Sequence, residues 1–264
     1  MTSIDRLAEI MERLRGPNGC PWDREQTVAS LRKFVIEETY EVVEAIDEKD
    51  WGKLREELGD LLLQVVFLSQ LAKEAGEFTL DDVAAGISEK LVRRHPHVFG
   101  SAEANNVAEV WRRWEKIKEG ERRAASNGAS VPSRLDGVPR HLPALAKARL
   151  FADKAARAGF DWSSPEAIVD KVEEETAELR QAMASNSAAG PAEELGDLFF
   201  AAASLARRLG LDPEACAEQA NRKFERRFRE VERLVAERGA KLEDFDERGL
   251  DALWRRAKEL VPAR

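Results

Sequence analysis

Glu37-Glu38-x-x-Glu41 recurs in this chain as Glu174-Glu175-x-x-Glu178, and Glu57-Leu58-Gly59-Asp60-Leu61 recurs as Glu194-Leu195-Gly196-Asp197-Leu198. Glu38 precedes Asp60 by 22 residues, and Glu175 precedes Asp197 by the same 22. A repeated motif at a repeated spacing implies a repeated supersecondary unit, and that limits the fold more than any single property of the chain. Gly19-Cys-Pro-Trp22 parallels Gly159-Phe-Asp-Trp162 upstream, and Lys90-Leu-Val-Arg-Arg94 parallels Lys223-Phe-Glu-Arg-Arg227 downstream. Two copies are too few to stack as a solenoid, so two tandem domains are expected. Between the copies, Gly120, Ser126, Asn127, Gly128, Pro132, Gly137, Pro139 and Pro143 give residues 119–143 the composition of a linker. The expected division is therefore 1–118, a linker at 119–143, and 144–264.

Each copy reads as helical. Ala, Leu, Glu and Arg dominate the 264 residues, and all four favour helix. Val35, Thr39, Val42 and Ile46 form one stripe at helical spacing, and Leu54, Leu58, Leu61, Val65 and Leu68 form another. Thr79-x-x-Asp82 has the form of a capping box. Ser164-Pro165 and Asp212-Pro213 each place a capping side chain before a proline at the first helical position. No run alternates as a strand would. The expected fold class is all-α, with two tandem helical bundles of four or five helices each.

The acidic motifs follow the helical period. Glu38 and Glu41 share one face of a helix, as do Glu57 and Asp60 on the next. If the apolar stripes pack those helices antiparallel, the four carboxylates converge at the edge of the seam, and Glu175, Glu178, Glu194 and Asp197 do the same in the second copy. Carboxylates so gathered repel unless they are protonated or neutralised. Oxygen-only ligation suits a hard divalent cation, and magnesium commonly takes further ligands from substrate phosphates. Lys223 and Arg227, one helical turn apart, offer a positive side to such a site. One Glu-Glu-x-x-Glu alone reads as a solvated helix face; two copies at equal spacing favour the metal. Gly59 and Gly196 each stand before the Asp inside a helical stretch, which costs about 1 kcal/mol against Ala. Close helix packing or close approach to a ligand would each account for them.

Other features narrow the class. A net charge of −8 argues against a nucleic-acid-binding chain, and the basic run from Lys223 to Arg229 is broken by Glu225. Cys20 and Cys216 form neither a disulfide framework nor a thiolate metal site. No signal peptide is legible, and the apolar run from Leu61 to Leu68 is short for a bilayer and contains Gln64, so a cytoplasmic protein is expected. His95 and His97 occur in one copy only and read as a loop after a helix. Trp22 and Trp162 read as core. Trp254 with Lys258 suits either a base-stacking platform with a phosphate contact or a docked C-terminal helix. No glycine-rich phosphate loop and no nucleophilic triad stands out. A di-iron oxidase would need Glu-x-x-His, which neither half has. A helical scaffold would be favoured by loss of the acidic ligands, yet both copies keep theirs.

Taken together, the doubled Glu-Glu-x-x-Glu and Glu-x-x-Asp motifs, Gly-Cys-Pro-Trp-Asp at 19–23 and Arg-Arg-His-Pro-His-Val-Phe at 93–99 closely resemble the MazG nucleoside triphosphate pyrophosphohydrolases. The resemblance covers nearly the whole chain outside the linker. It implies an all-α NTP pyrophosphatase fold, dependence on magnesium with manganese as a substitute, and a homodimer. It also implies hydrolysis of an NTP to NMP and pyrophosphate, clearing non-standard or excess nucleotides, with no nucleic acid polymer as partner. Carried over by motif, Glu175, Glu178, Glu194 and Asp197 would bind metal, as would Glu38, Glu41, Glu57 and Asp60 in the first copy. Lys171, Lys223, Arg227, Trp254 and Lys258 would meet the nucleotide. Glu174 or Glu175 would serve as base or orient the water that attacks the α-phosphorus. Relatives can carry a basic residue shortly before Glu-x-x-Asp, where this chain has Gly190-Pro191.

The second copy is expected to carry most of the hydrolysis. Aligning the acidic motifs sets an offset of 137 and places Lys171 against Phe34, with Lys33 one position off and about 100° around the helix. First-copy counterparts of Trp254 and Lys258, around Trp111, Trp114 and Lys118, align ambiguously.

Overall fold

The computed structural model describes residues 2–101, 106–125, 133–185 and 190–262. The chain divides into two compact units, Met1–Ala125 and Ser126–Arg264. Among the described residues every regular element is a helix.

The first unit runs α1 (Ser3–Arg15), α2 (Pro21–Glu25), α3 (Val28–Glu48), α4 (Trp51–Glu74), α5 (Leu80–Arg94), α6 (Pro96–Phe99) and α7 (Val107–Ala125). The Thr27 hydroxyl accepts from the Ser30 N–H and starts α3. Lys49, at φ 58° in the left-handed region, ends it. Asp50 then caps α4 by accepting from the N–H groups of Gly52 and Lys53. A two-residue connection leaves the helices no choice but to lie antiparallel. Met11 of α1, Leu31 of α3, and Val66 and Phe67 of α4 form the buried centre, each contributing roughly 1.5–3 kcal/mol by leaving water. Thr79 and Asp82 form the expected capping box at α5.

The loop carrying Gly19-Cys-Pro-Trp22 is folded back on the end of α1. Cys20 N–H donates to the Leu14 carbonyl at 2.8 Å, and a Cβ on Gly19 would lie 2.0 Å from that oxygen. Arg15 secures the segment from the other side, donating to the carbonyls of Asp23 and Gln26 and pairing with Glu74 at 2.7 Å. Gly19 is therefore a steric requirement. Gly159, its counterpart in the repeat, is instead in the left-handed region just past α8, at φ 90°.

The second unit runs α8 (Ala144–Arg157), α9 (Pro165–Ala184), α10 (Gly190–Arg208), α11 (Pro213–Ala236), a 3-10 turn at Leu242–Asp244, and α12 (Glu247–Leu260). Ser164 and Asp212 cap α9 and α11 ahead of Pro165 and Pro213, as the sequence predicts. α9 and α8 both pack on α10, repeating the arrangement of α3 and α1 on α4. α11 and α12 enclose their own core of Val231, Val235, Leu253 and Ala257. Glu214 accepts from the N–H groups of Leu145 and Ala146, tying the start of α11 to the start of α8.

Three sequence expectations need correction. Helix α7 continues through Gly120 to Ala125, past the expected linker start at 119. One glycine costs a helix only about 1 kcal/mol, and Glu121 in the next position anchors α7 to Arg93 and Arg94. The two apolar stripes are buried only in part. Ile46, Leu58 and Val65 are exposed, Val35, Val42, Leu54 and Leu61 are half-buried, and Leu68 packs on a core whose enclosed members include Leu31, Val66 and Phe67. These helices have apolar residues on more than one side, and periodicity alone does not say which side the unit covers. Trp22, expected in the core, is half exposed, with its ring edge-on to Phe34.

Candidate active site

Each hairpin gathers carboxylates where its helices meet. In the first unit, oxygens of Glu38 and Glu41 on α3 and Glu57 on α4 lie within 4.8 Å of one another. In the second, Glu175 on α9 joins Glu194 and Asp197 on α10 under the same limit. Three of the four motif carboxylates meet in each unit, and not the same three. Asp60 stands outside the first triplet but still raises the proton affinity of Glu38 and Glu57; Glu178 stands outside the second and does so for Glu194.

The charge is costly where it sits. Burial first, then the charges of Asp60 and Glu41, push the Glu38 carboxyl above its ordinary value. Burial, then Glu41 and Asp60, do the same for Glu57. Burial, then Glu178 and Glu175, do it for Glu194. Clusters of this kind bind protons or cations because either removes the repulsion. All donors are carboxylate oxygens, so the fitting ion is a hard divalent cation.

The second unit differs in its buried member. Glu175 is 4% exposed and is paired with Lys171, four residues earlier on α9, at 2.8 Å. Lys171 also holds the exposed Glu174 at 2.7 Å, and the two carboxylates, Glu174 first, push its ammonium above the ordinary lysine value. Among the described residues no lysine is ion-paired with the first triplet, and Lys53 acts on Glu57 only by its charge at a distance. Lys33 lies over the Phe34 ring at 4.6 Å, and Lys53 is drawn to Glu44 and Glu48 at 3.0 and 3.1 Å. Glu38 instead faces Gln64, whose Nε2 lies 3.5 Å from Glu38 Oε1 while its own Oε1 is buried without a partner. Gln64, beside Glu38, was not among the residues the sequence singled out for the site. The signal was there: one amide inside the apolar run from Leu61 to Leu68, one turn after Asp60.

Four further expected residues gather on α11 and α12. Lys258 Nζ lies 5.9 Å from the Trp254 ring centre, and Phe224 packs on the same indole at 5.3 Å. Arg227 Nε donates to the Val261 carbonyl at 3.1 Å, and Lys223 is half-buried one turn before it. Among the described residues no hydrogen bond or ion pair joins these four to the carboxylates. His95 and His97 fall at the end of α5 and on α6, their rings 5.7 Å apart, with His95 Nδ1 2.7 Å from the Leu91 carbonyl oxygen. Neither is part of a carboxylate triplet.

Gly59 and Gly196 are not explained by packing inside the chain, since a Cβ at either would meet nothing within 4 Å. Gly196 borders an apolar cavity of about 490 Å³ with Phe151, Phe199 and Phe200. Of the two readings of these glycines, close helix packing within the unit is therefore removed.

Comparison with known proteins finds a pyrophosphohydrolase family in each unit. The profile of the MazG nucleotide pyrophosphohydrolase domain matches residues 26–99, which contain the first triplet. That of phosphoribosyl-ATP pyrophosphohydrolase matches residues 148–224, which contain the second. The chain is 49% identical over 263 residues to a nucleoside triphosphate pyrophosphohydrolase of Escherichia coli, covering 98% of both. It is 44% identical to the nucleoside triphosphate pyrophosphohydrolase/pyrophosphatase MazG of Thermotoga maritima, over 97% of this chain and 95% of that one. A nucleoside triphosphate pyrophosphohydrolase of Mycobacterium tuberculosis is 39% identical over 60% of this chain and 46% of its own length.

Proposed function

Because this chain belongs to the MazG family of nucleoside triphosphate pyrophosphohydrolases, we propose that it cleaves an NTP between the α- and β-phosphates, giving NMP and pyrophosphate, chiefly at the second unit. The observation that carries this reading is the triplet of Glu175, Glu194 and Asp197 with its buried member held by Lys171. Glu175, Glu194 and Asp197, with Glu178 adding charge beside them, would hold magnesium, and manganese would substitute. Bound there, the ion supplies Lewis-acid stabilisation of charge on the phosphate oxygens.

The chain's own residues do the rest. Glu174 or Glu175, both tied to one Lys171 ammonium, would orient a water and take its proton. The ammonium keeps Glu175 from drifting out of the triplet. Lys223 and Arg227 supply positive charge to the outer phosphates, and Trp254 with Lys258 gives an aromatic face for the base. A negatively charged chain is poorly suited to a polynucleotide and well suited to a small nucleotide delivered with its cation.

A homodimer is part of the same reading. Ile36, Tyr40 and Val43 lie exposed along one side of α3, and Leu58, Leu62 and Val65 along one side of α4. Aligned apolar rows on the very helices that carry the carboxylates suit burial by a second copy. An assay against a nucleotide panel, with products separated by ion exchange, tests the reaction. Equal NMP and pyrophosphate are expected, and NDP with orthophosphate would refute it. Glu175→Ala or Asp197→Ala should abolish hydrolysis, while Glu38→Ala or Asp60→Ala should leave most of it. Equal losses from both pairs would mean two working sites.

A further inference from the structure

The two units diverge at one position on their last helices. Trp114 and Lys118 of α7 repeat the Trp254 and Lys258 of α12, each lysine ammonium lying over its indole, at 4.7 and 5.9 Å. That shared contact aligns Trp114 with Trp254 and Lys118 with Lys258. Three residues further on, it sets Glu121 against Val261, and the matching arginines of α5 and α11 seek out these same two positions. In the second unit Arg227 donates to the Val261 carbonyl at 3.1 Å. In the first, Arg94 Nη2 lies 2.5 Å from Glu121 Oε2, and Arg93 Nη2 lies 2.8 Å from Oε1.

One unit therefore meets its arginine with a neutral oxygen and the other with a full negative charge. Hydrogen bonds from Arg94 and then Arg93 hold the Glu121 carboxyl down to about 2, so it stays ionised at any ordinary pH. The Arg94 and Glu121 side chains are 18% and 27% exposed, which limits screening by water and salt. A guanidinium bonded to a carbonyl keeps its charge for an incoming phosphate. One already paired with a carboxylate must give up one oxyanion to gain another, and the exchange yields little.

We propose that Glu121 acts as a built-in anion that occupies the arginine pair of the first unit and keeps that unit from gripping the phosphates of a triphosphate. Glu121 is thus a positioning residue acting through Arg93 and Arg94. The inference rests on the reading above that Arg227 meets phosphate in the second unit.

The test uses the full chain carrying Asp197→Asn to silence the second unit. Adding Glu121→Gln gives the first unit a neutral oxygen like that of Val261. Titration calorimetry with magnesium ATP should then show about tenfold tighter binding, the scale of one charge-assisted contact. Further addition of Arg94→Ala should remove the gain. The reciprocal change, Val261→Glu in the otherwise native chain, should raise KM about tenfold with kcat nearly kept. Unchanged affinity in a folded Glu121→Gln chain overturns the proposal, provided Arg227→Ala raises KM as the phosphate reading requires. If Arg227→Ala leaves KM unmoved, that reading fails and takes this inference with it. Should Glu121→Gln not fold, Val261→Glu decides alone, and an unchanged KM overturns the proposal.

Discussion

Glu194 holds its proton more tightly than a free glutamate because burial and the charges of Glu178 and Glu175 disfavour its ionised form. The consequence for stability has a definite sign. Above the raised folded pKa both states are ionised and the folded chain bears the penalty; below the unfolded value, about 4.3, both are protonated and the penalty is gone. Glutamine imitates the protonated acid, so Glu194→Gln should raise the melting temperature of the metal-free protein near pH 7. The gain should shrink as the pH falls toward 4, and a constant gain across that range would contradict the account. Glu121 has the opposite sign, since its pairs with Arg94 and Arg93 stabilise the fold at neutral pH and are lost only as the pH falls toward 2. Neither sign could be read from residue type. Both residues are glutamates on helices, and only their neighbours in space distinguish a carboxylate crowded by others from one held by two guanidiniums.

Among the elements, α3 and α4 show where local rules suffice and where they do not. The starts of α5, α9 and α11 were legible in Thr79, Ser164 and Asp212 because a cap is a contact between residues three apart. The face each helix buries was not, because α4 has apolar residues at Leu58, Leu62 and Val65 on one side and at Val66 and Phe67 on another. If a second copy covers the outer side, Leu62→Glu should shift the protein to monomer mass in sedimentation equilibrium. It should also lower stability by more than about 1 kcal/mol, since the apolar side that the second copy covered returns to water. An isolated surface position would change stability by no more than about 0.5 kcal/mol. A variant with unchanged mass and unchanged melting would remove α4 from the interface.

For the whole molecule, the two triplets are concentrations of negative charge that the fold neutralises only in part, through Lys171 in the second, and a bound divalent ion should stabilise the chain by mass action. Thermal melts in millimolar magnesium should lie above those in chelator, and Glu175→Gln with Glu38→Gln should remove most of the difference. Coincident melts would mean the clusters are solvated surface. The repeat, the helical class, the caps and the acidic motifs were all determined by the sequence, because each is written in short-range spacing. A 22-residue interval brings two carboxylate pairs to one hairpin wherever the chain lies. What only tertiary structure decided is the identity of partners across helices: Lys171 and Gln64 as different companions for equivalent glutamates, and Glu121 and Val261 as different companions for equivalent arginines. A side chain's charge belongs to its residue, but its neutralisation depends on distances of a few ångströms between residues tens of positions apart, and those distances exist only once the helices have packed.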